Sequence, residues 1–251
     1  MLTKIMVGGL IVGLFSMIFG ANEVEVTRPD FANVINKAVH FNNGVSLSYD
    51  IPGNLSKLFG YAEGYVENSA RTFKASLGDK QGFESDGWRL AKKIDGGMWD
   101  YLGDKKKGLG GELGTLNVNI ALNSYPGGAF DTYLVDSYEV FLNGPEGKNT
   151  EIRQSEMGEG ATDEELGHWI VTGPGPIDRI SFSDREFLSW RVSNEHRGYE
   201  FIYYALPVDD TTFITFLFYY TAKANNEQEY AEHSAFILED IQTFMQRVVI
   251  K

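Results

Sequence analysis

The sequence predicts an α+β protein in which an antiparallel sheet has helices packed on its faces, an α/β/α sandwich. Two long apolar runs, 199–206 and 211–220, are rich in the aromatic and β-branched residues that suit a pleated surface. Residues 207–210 separate them with hairpin chemistry, a proline and two aspartates. Neither run alternates with polar residues, which indicates a hairpin covered on both faces at the centre of the sheet. Apolar residues recur at helical spacing over 230–248, which predicts an amphipathic helix that closes the fold.

Before residue 54 the sequence predicts one helix and one strand. Apolar residues recur at helical spacing from Phe31 to Val39, and Asp30 is a suitable N-cap, so a short helix is expected there. Residues 45–51 then alternate between apolar and small polar types and end at a Pro-Gly pair. That pattern predicts a half-buried strand followed by a turn.

The region 54–112 has weaker patterns. Residues 65–75 fit a helix or a strand equally well. The apolar positions between Trp88 and Trp99 are interrupted by two glycines, which favours short strands or a bend over one long helix. Three lysines and a glycine-rich run over 105–111 predict a charged, flexible loop.

The middle of the chain predicts a strand, a helix and an acidic loop. Residues 115–122 alternate strictly between apolar and polar types, the cleanest strand pattern of the first half. After a Pro-Gly-Gly turn, Asp131 is a suitable cap for a helix over 131–142, which ends at Asn-Gly-Pro. Residues 145–167 are acidic and predict a loop, and a further strand is expected over 187–192.

The N-terminus predicts an exported protein. Lys4 precedes an apolar stretch over 5–18 that ends in small residues, so residues 1–21 are predicted to be a secretory signal peptide. An uncleaved anchor is the alternative, although the stretch is short for crossing a bilayer. The expected location is periplasmic or secreted. The chain has no cysteine, which excludes disulfides, thiolate metal sites and a lipid-modified cysteine.

The remaining 22–251 is predicted to be a single domain. The glycine- and acid-rich zone at 143–168 either separates two subdomains or forms a long surface loop of one. The formal net charge of −13 argues against binding to nucleic acid or to an anionic membrane, since both need a basic patch. No stable membrane insertion is expected once the leader is removed, and the charge suits a basic protein partner.

No motif in the sequence predicts catalysis or a cofactor. The chain has neither Gly-x-Ser-x-Gly nor His-Glu-x-x-His. A catalytic set around His168 or His196 would have to be assembled from distant residues. The acidic residues of 156–165 lack the spacing of a calcium loop, although calcium binding there stays open, and the glycines of 108–114 lack the end of a phosphate loop. No catalytic residue, cofactor or metal is therefore expected.

Two features predict a partner-binding surface. An acidic loop steers a basic partner and raises its association rate. Tryptophan and tyrosine in or beside loops anchor interfaces. The predicted partner-binding residues are Glu156, Glu159, Asp163, Glu164, Glu165, Trp88, Trp99 and Tyr101.

The order of these elements, together with the run GVSLSYDIP at 44–52, resembles the PsbP/DcrB-like group of α/β/α sandwiches. The resemblance is one of pattern and covers most of 40–248. It implies small, often exported accessory proteins that bind other proteins, several of them effector chaperones or immunity-like partners in bacterial secretion systems. The group has no shared catalytic residues. The extra length at 54–112 and 145–168 departs from its pattern.

The sequence therefore predicts an exported, non-enzymatic protein-binding module of the accessory or immunity type. One alternative is an exported hydrolase or small-ligand-binding protein with a site assembled from distant residues. A third is a component of the cell envelope held by an uncleaved leader.

Overall fold

A computed structural model describes residues 26–41, 43–56, 73–75, 84–85, 90–103, 111–155, 160–173, 175–194 and 199–251. For 73–75, 84–85, 90, 163 and 199 only the backbone is described. The predicted leader, the lysines of the predicted loop at 105–111 and most of 57–89 lie outside the described residues.

The described residues form a mixed α+β structure dominated by two sheets, as the coarse fold class predicted. The helices are α1 (Phe130–Asn143), α2 (Lys148–Gln154), α3 (Asp163–Gly167) and α4 (Glu227–Gln246). The strands are β1 (Val34–Phe41), β2 (Ser46–Pro52), β3 (Phe73–Ala75), β4 (Glu84–Ser85), β5 (Leu90–Leu102), β6 (Glu112–Ser124), β7 (Asp178–Phe182), β8 (Arg185–Asn194), β9 (Tyr199–Asp209), β10 (Thr212–Ala222) and β11 (Val249–Ile250).

The larger sheet has seven strands in the order β4-β5-β6-β10-β9-β8-β7, and every neighbouring pair is antiparallel. The predicted aromatic hairpin is confirmed as β9 and β10, and β10 is the central strand. At its turn, the Asp209 carboxylate accepts a hydrogen bond from the N–H of Thr211 at 2.8 Å. The register shifts between Thr212 and Phe213, so Val208 lies in a bulge next to the turn.

The smaller sheet has the order β11-β2-β1-β3. Its strand β2 confirms the prediction for 45–51. The predicted helix from Phe31 to Val39 is wrong, because residues from Val34 onward form β1. This strand pairs with β2 from Val34 opposite Pro52 to His40 opposite Ser46, and that long-range pairing prevails over a weak local helical pattern.

One face of the large sheet is covered by α4 and the small sheet. The apolar stripe of α4, which includes Ile237, Ile241 and Phe244, is at most 2% exposed. Phe244 packs edge-on against Phe216 and Phe218 of β10, with ring centroids 6.4 and 5.4 Å apart. The predicted closing helix is therefore confirmed, and it helps to fill the larger of two hydrophobic clusters.

The other face of the large sheet is covered by α1. Leu134, Tyr138 and Leu142 of this helix are buried against β8 and β9, where Trp190 and Tyr203 stack with ring centroids 4.7 Å apart. The helix confirms the prediction for 131–142, but Asp131 is not its cap. Ala129 occupies the N-cap, and Asp131 lies in the first turn.

Strand β5 explains the two adjacent glycines at 96 and 97. It is a continuous strand of 13 residues with an irregularity between Lys93 and Asp95, where sequence predicts short strands or a bend. A Cβ on Gly97 would lie 2.8 Å from the ring of Trp99, and one on Gly96 would lie 2.9 Å from a carbonyl of β6. The glycines make room for a buried ring and a neighbouring strand, and they do not end the element.

Candidate functional site

The acidic segment after α1 is folded onto the large sheet. The sequence predicts a loop over 145–167, but α2 and α3 form within it, so the loop prediction is wrong for those residues. Helix α2 contacts α1, and Val171 belongs to the hydrophobic cluster beneath α1. We call residues 130–171, which comprise the three helices and their connections, the acidic layer.

Two buried asparagine side chains hold the acidic layer in place. Asn149 donates from Nδ2 to the carbonyl of Val171 at 2.8 Å and accepts from the N–H of Val171 at 3.0 Å. Asn194, at the end of β8, donates to the carbonyls of Gly167 at 3.2 Å and Ile170 at 2.8 Å. Both asparagines are at most 2% exposed, so breaking these bonds would leave buried polar groups unsatisfied. The described part of the layer is thus a fixed surface.

The acidic layer carries most of the net negative charge of the protein. Residues 130–171 contain ten carboxylates and two cationic side chains, Lys148 and Arg153, hence −8 of the total of −13. Lys148 pairs with Glu151 at 3.2 Å and Asp131 pairs with Arg179 at 3.1 Å. The ten carboxylates are Asp131, Asp136, Glu139, Glu146, Glu151, Glu156, Glu159, Asp163, Glu164 and Glu165.

Apolar side chains are exposed among these carboxylates. On α1, Val135 is 42% exposed and Val140 is 63% exposed. Asp136 and Glu139 share this outer face, since residues four apart are neighbours on a helix. Trp169, two residues after the end of α3, is 42% exposed. Exposed apolar groups with a charged rim are typical of protein–protein interfaces, and tryptophan is frequent among their strongest anchors.

The structure describes only part of the predicted acidic site. Glu164 and Glu165 are exposed on α3. Glu165 forms a capping box with Thr162, accepting from the Thr162 N–H at 2.8 Å and donating its own N–H to the Thr162 hydroxyl at 3.3 Å. The hydrogen bond from the Thr162 backbone, followed by that from its side chain, lowers the pKa of Glu165 and favours its charged form. Asp163 begins α3 with its side chain outside the description, and Glu156 and Glu159 lie outside the described residues.

The predicted aromatic anchors are not on this surface. Trp99 and Tyr101 lie on β5 and are each 1% exposed, because their rings pack in the larger hydrophobic cluster, on the face of the large sheet that α4 and the small sheet cover. Their prediction as loop residues of a binding face is therefore wrong. Trp88 lies outside the described residues. Trp169 was not among the predicted anchors, although it stands in a short apolar run beside the acidic residues, a signal that could have identified it.

A second polar cluster lies beside a groove of about 510 Å³ between residues 26–31 and α4. Asp240 is 2% exposed and accepts from the Tyr101 hydroxyl at 2.7 Å and from Arg28 at 2.6 to 3.2 Å. Arg28 also donates to Glu239 at 2.8 Å. Since each charge meets an opposite charge within the protein, this cluster fastens the N-terminal segment to α4.

Burial is the largest single influence on each pKa in this cluster. It raises the pKa of Asp240 despite the hydrogen bonds from Arg28 and Tyr101. It also raises the pKa of Tyr101, with a further contribution from the nearby Asp240 charge. For Arg28, burial alone lowers the pKa, but hydrogen bonds to Asp240 and Glu239 outweigh it, so the pKa is raised and the guanidinium stays charged.

A third polar cluster joins the two sheets. Asp95, next to the irregularity of β5, accepts from the Tyr49 hydroxyl at 2.8 Å and pairs with Lys37 at 3.4 Å. The Lys37 and Asp95 side chains are 10% and 9% exposed. Lys37 lies on β1, Tyr49 on β2 and Asp95 on β5. Their contacts therefore link the two sheets across the core.

The histidines that the structure describes are spread over the fold. His40 and His168 are exposed. The Nδ1 of His233 donates to the carbonyl of Lys223 at 2.5 Å, just before α4. His196 lies outside the described residues. Within the described part of the chain, no group of three or more histidine, aspartate and glutamate side chains is placed to hold a metal ion.

Comparison with known proteins leaves the site to be interpreted from its geometry. No family model, curated protein or solved structure matches this chain. Among the described residues, none of the helices has the length and apolar character that a membrane span requires.

Proposed function

We propose that the protein is an exported, non-enzymatic binding module of the accessory or immunity type, whose protein partner is basic and docks on the acidic layer. The observation that carries this proposal is the concentration of −8 in residues 130–171, together with exposed Val135, Val140 and Trp169. Charge of one sign steers an oppositely charged protein to the surface, while apolar anchors supply affinity at short range.

The bracing of the layer supports a binding role over that of a solvated loop. A surface held by Asn149 and Asn194 is ordered before a partner arrives, so binding does not have to supply the free energy of ordering it. The carboxylates of Asp136, Glu146 and Glu164 are exposed, and no described basic side chain forms an ion pair with them. They are therefore open to a lysine or arginine of a partner.

The architecture belongs to the same proposal. We interpret the large sheet, with α1 on one face and α4 on the other, as an α/β/α sandwich of the PsbP/DcrB-like type, extended by a second small sheet. The signal peptide at 1–21 is part of the proposal as well. Mass spectrometry of the mature protein should find a chain that starts close to residue 22, and an intact leader would favour an envelope anchor.

A capture experiment tests the proposed function. The tagged protein is incubated with the exported protein fraction of its host, beside an acidic-layer variant, Asp136→Asn with Glu164→Gln. A control variant, Glu227→Gln with Glu232→Gln, changes the same net charge on α4. Wild type and control should retain a basic protein that the acidic-layer variant loses.

Three outcomes would contradict the proposal. In the first, the wild type captures no protein. In the second, the two variants retain the captured protein equally. In the third, a small metabolite co-purifies in place of a protein, which would favour the ligand-binding alternative.

A further inference from the structure

A groove of about 330 Å³ lies between the first half of α1 and strand β7. Its apolar lining comes from Val135, Ile177 and Leu188. A volume at the low end of ligand pockets suits one or two side chains of a larger partner better than a whole small molecule. The remaining lining residues are polar or charged: Asp131, Thr132, Asp136 and Arg179.

Strand β7 forms one wall of this groove and is the last strand of the large sheet. It pairs with β8 on one side, and no other described backbone group hydrogen-bonds to its free edge. Ile180 and Phe182 anchor the strand because they pack into the larger hydrophobic cluster. Arg179 and Ser181 have the opposite orientation and face the groove side, since successive side chains of a strand point to opposite faces.

The free edge can accept another strand. A two-residue turn, Ser183 and Asp184, joins β7 to β8, with Phe182 opposite Arg185. Pairs in such a hairpin alternate between bonded and non-bonded, starting from a bonded pair at the turn. Arg179 and Ser181 therefore direct their N–H and C=O groups away from β8. An exposed row of this kind is a template for an added strand.

The charge around the groove favours an added strand that is positively charged. Asp131 and Asp136 line the groove together with Arg179, its one cation, and Glu186 lies beside it as a partner of Arg179. Arg179 is already paired with Asp131 at 3.1 Å and Glu186 at 2.7 Å, and its side chain is 57% exposed. The net charge of these four side chains is therefore negative. Asp136 forms no ion pair with Arg179, so its carboxylate can bind an incoming cation.

We propose that an extended segment of the basic partner adds to β7 as an eighth strand of the large sheet. This inference rests on the proposed function for the sign of the partner's charge. Backbone hydrogen bonds to Arg179 and Ser181 supply the pairing. Alternate side chains of the segment enter the groove, an apolar one over Val135 and Leu188 and a lysine or arginine beside Asp136.

A peptide probe tests strand addition directly. The probe is a fluorescent nine-residue peptide in which valine and lysine take turns at every second position and threonine fills the positions between, so that both types point into the groove. The matched control peptide has the same sequence with every amide N-methylated. Both have the same charge, but the control has no amide N–H to donate along either edge. Fluorescence anisotropy should show that the wild-type protein binds the control peptide at least tenfold more weakly.

Two protein variants locate the site. Ser181→Pro removes an outward N–H from β7, so it should weaken binding of the probe to the level of the N-methylated control. Asp136→Lys should also weaken binding of the probe and reduce its dependence on salt, because it removes negative charge from the groove. If Ser181→Pro does not fold, the comparison of the two peptides on wild-type protein still decides the question.

Equal binding of the two peptides would overturn strand addition and leave the proposed function standing as a purely electrostatic contact. This inference alone would also be overturned if the probe does not bind while capture of a basic protein still depends on Asp136 and Glu164. If capture does not depend on those two residues either, both the inference and the proposed function are wrong.

Discussion

The substitution Arg28→Ala should destabilise the protein strongly, because it removes the counter-ion of a buried carboxylate. Asp240 is 2% exposed, and Arg28 donates to both of its oxygens. Breaking a buried ion pair from one side costs about 3–5 kcal/mol. Arg28 is 32% exposed, so solvent screens part of the interaction, and Asp240 keeps the Tyr101 hydroxyl at 2.7 Å. We therefore expect a loss of about 2–3 kcal/mol in the free energy of unfolding at neutral pH, or about 5–10 °C in Tm.

The pH dependence of this loss has a defined sign. Burial raises the pKa of Asp240 above that of the unfolded chain, so the folded state binds its proton more tightly. The penalty of burying the charge is present at neutral pH and disappears as the pH falls through the raised pKa. Without Arg28 the pKa rises further, so the cost of Arg28→Ala should shrink between about pH 7 and pH 4.

Urea unfolding of four proteins measures the coupling: wild type, Arg28→Ala, Asp240→Asn and the double variant. In the Asp240→Asn background, Arg28→Ala should cost much less, since no buried charge is left unpaired. Arg179→Ala is the matched control, because this arginine has two carboxylate partners but lies on the surface, and its midpoint should hardly change. Equal midpoints for Arg28→Ala and Arg179→Ala, or additive costs in the cycle, would refute the reasoning.

Four further substitutions test the placement of the core and the acidic layer. Trp99→Ala should lower the free energy of unfolding by about 3–5 kcal/mol, whereas Trp169→Ala should leave it nearly unchanged; equal urea midpoints would contradict the burial of Trp99. Asn194→Ala should cost about 1–3 kcal/mol and speed amide exchange over 163–171, and unchanged exchange there would contradict its bracing role. Gly97→Val should cost about 1–3 kcal/mol by overpacking against the Trp99 ring, and a variant as stable as wild type would refute this account of the glycine.

Patterns that are local and strong predicted their elements correctly. The strand over 115–122 and the closing helix each have many consecutive residues of one period, and the aromatic hairpin has two long runs of residues that favour strands. The element type therefore follows from local sequence. The short segment from Phe31 to Val39 has no such long local pattern. Its few apolar residues fit a helix, but seven residue pairs with β2 fix it as a strand.

Glycines and long-range contacts caused the remaining errors. Gly96 and Gly97 look like a break in the sequence, and the space they leave for the Trp99 ring is visible only in three dimensions. That error placed Trp99 and Tyr101 on a surface. The ion pair between Arg28 and Asp240 joins residues that are 212 positions apart in the sequence, so no local sequence pattern predicts it. The folding of the acidic layer depends in the same way on Asn194, a single amide from the distant strand β8.

Hydrogen exchange of the protein with and without its captured basic partner tests the central claim most directly. Binding on the acidic layer should slow amide exchange in α1 and in 160–171, while the N-terminal half of α4 exchanges as in the free protein. Protection confined to α4 and residues 26–31, with α1 and 160–171 unchanged, would contradict the assignment of the acidic layer as the binding surface.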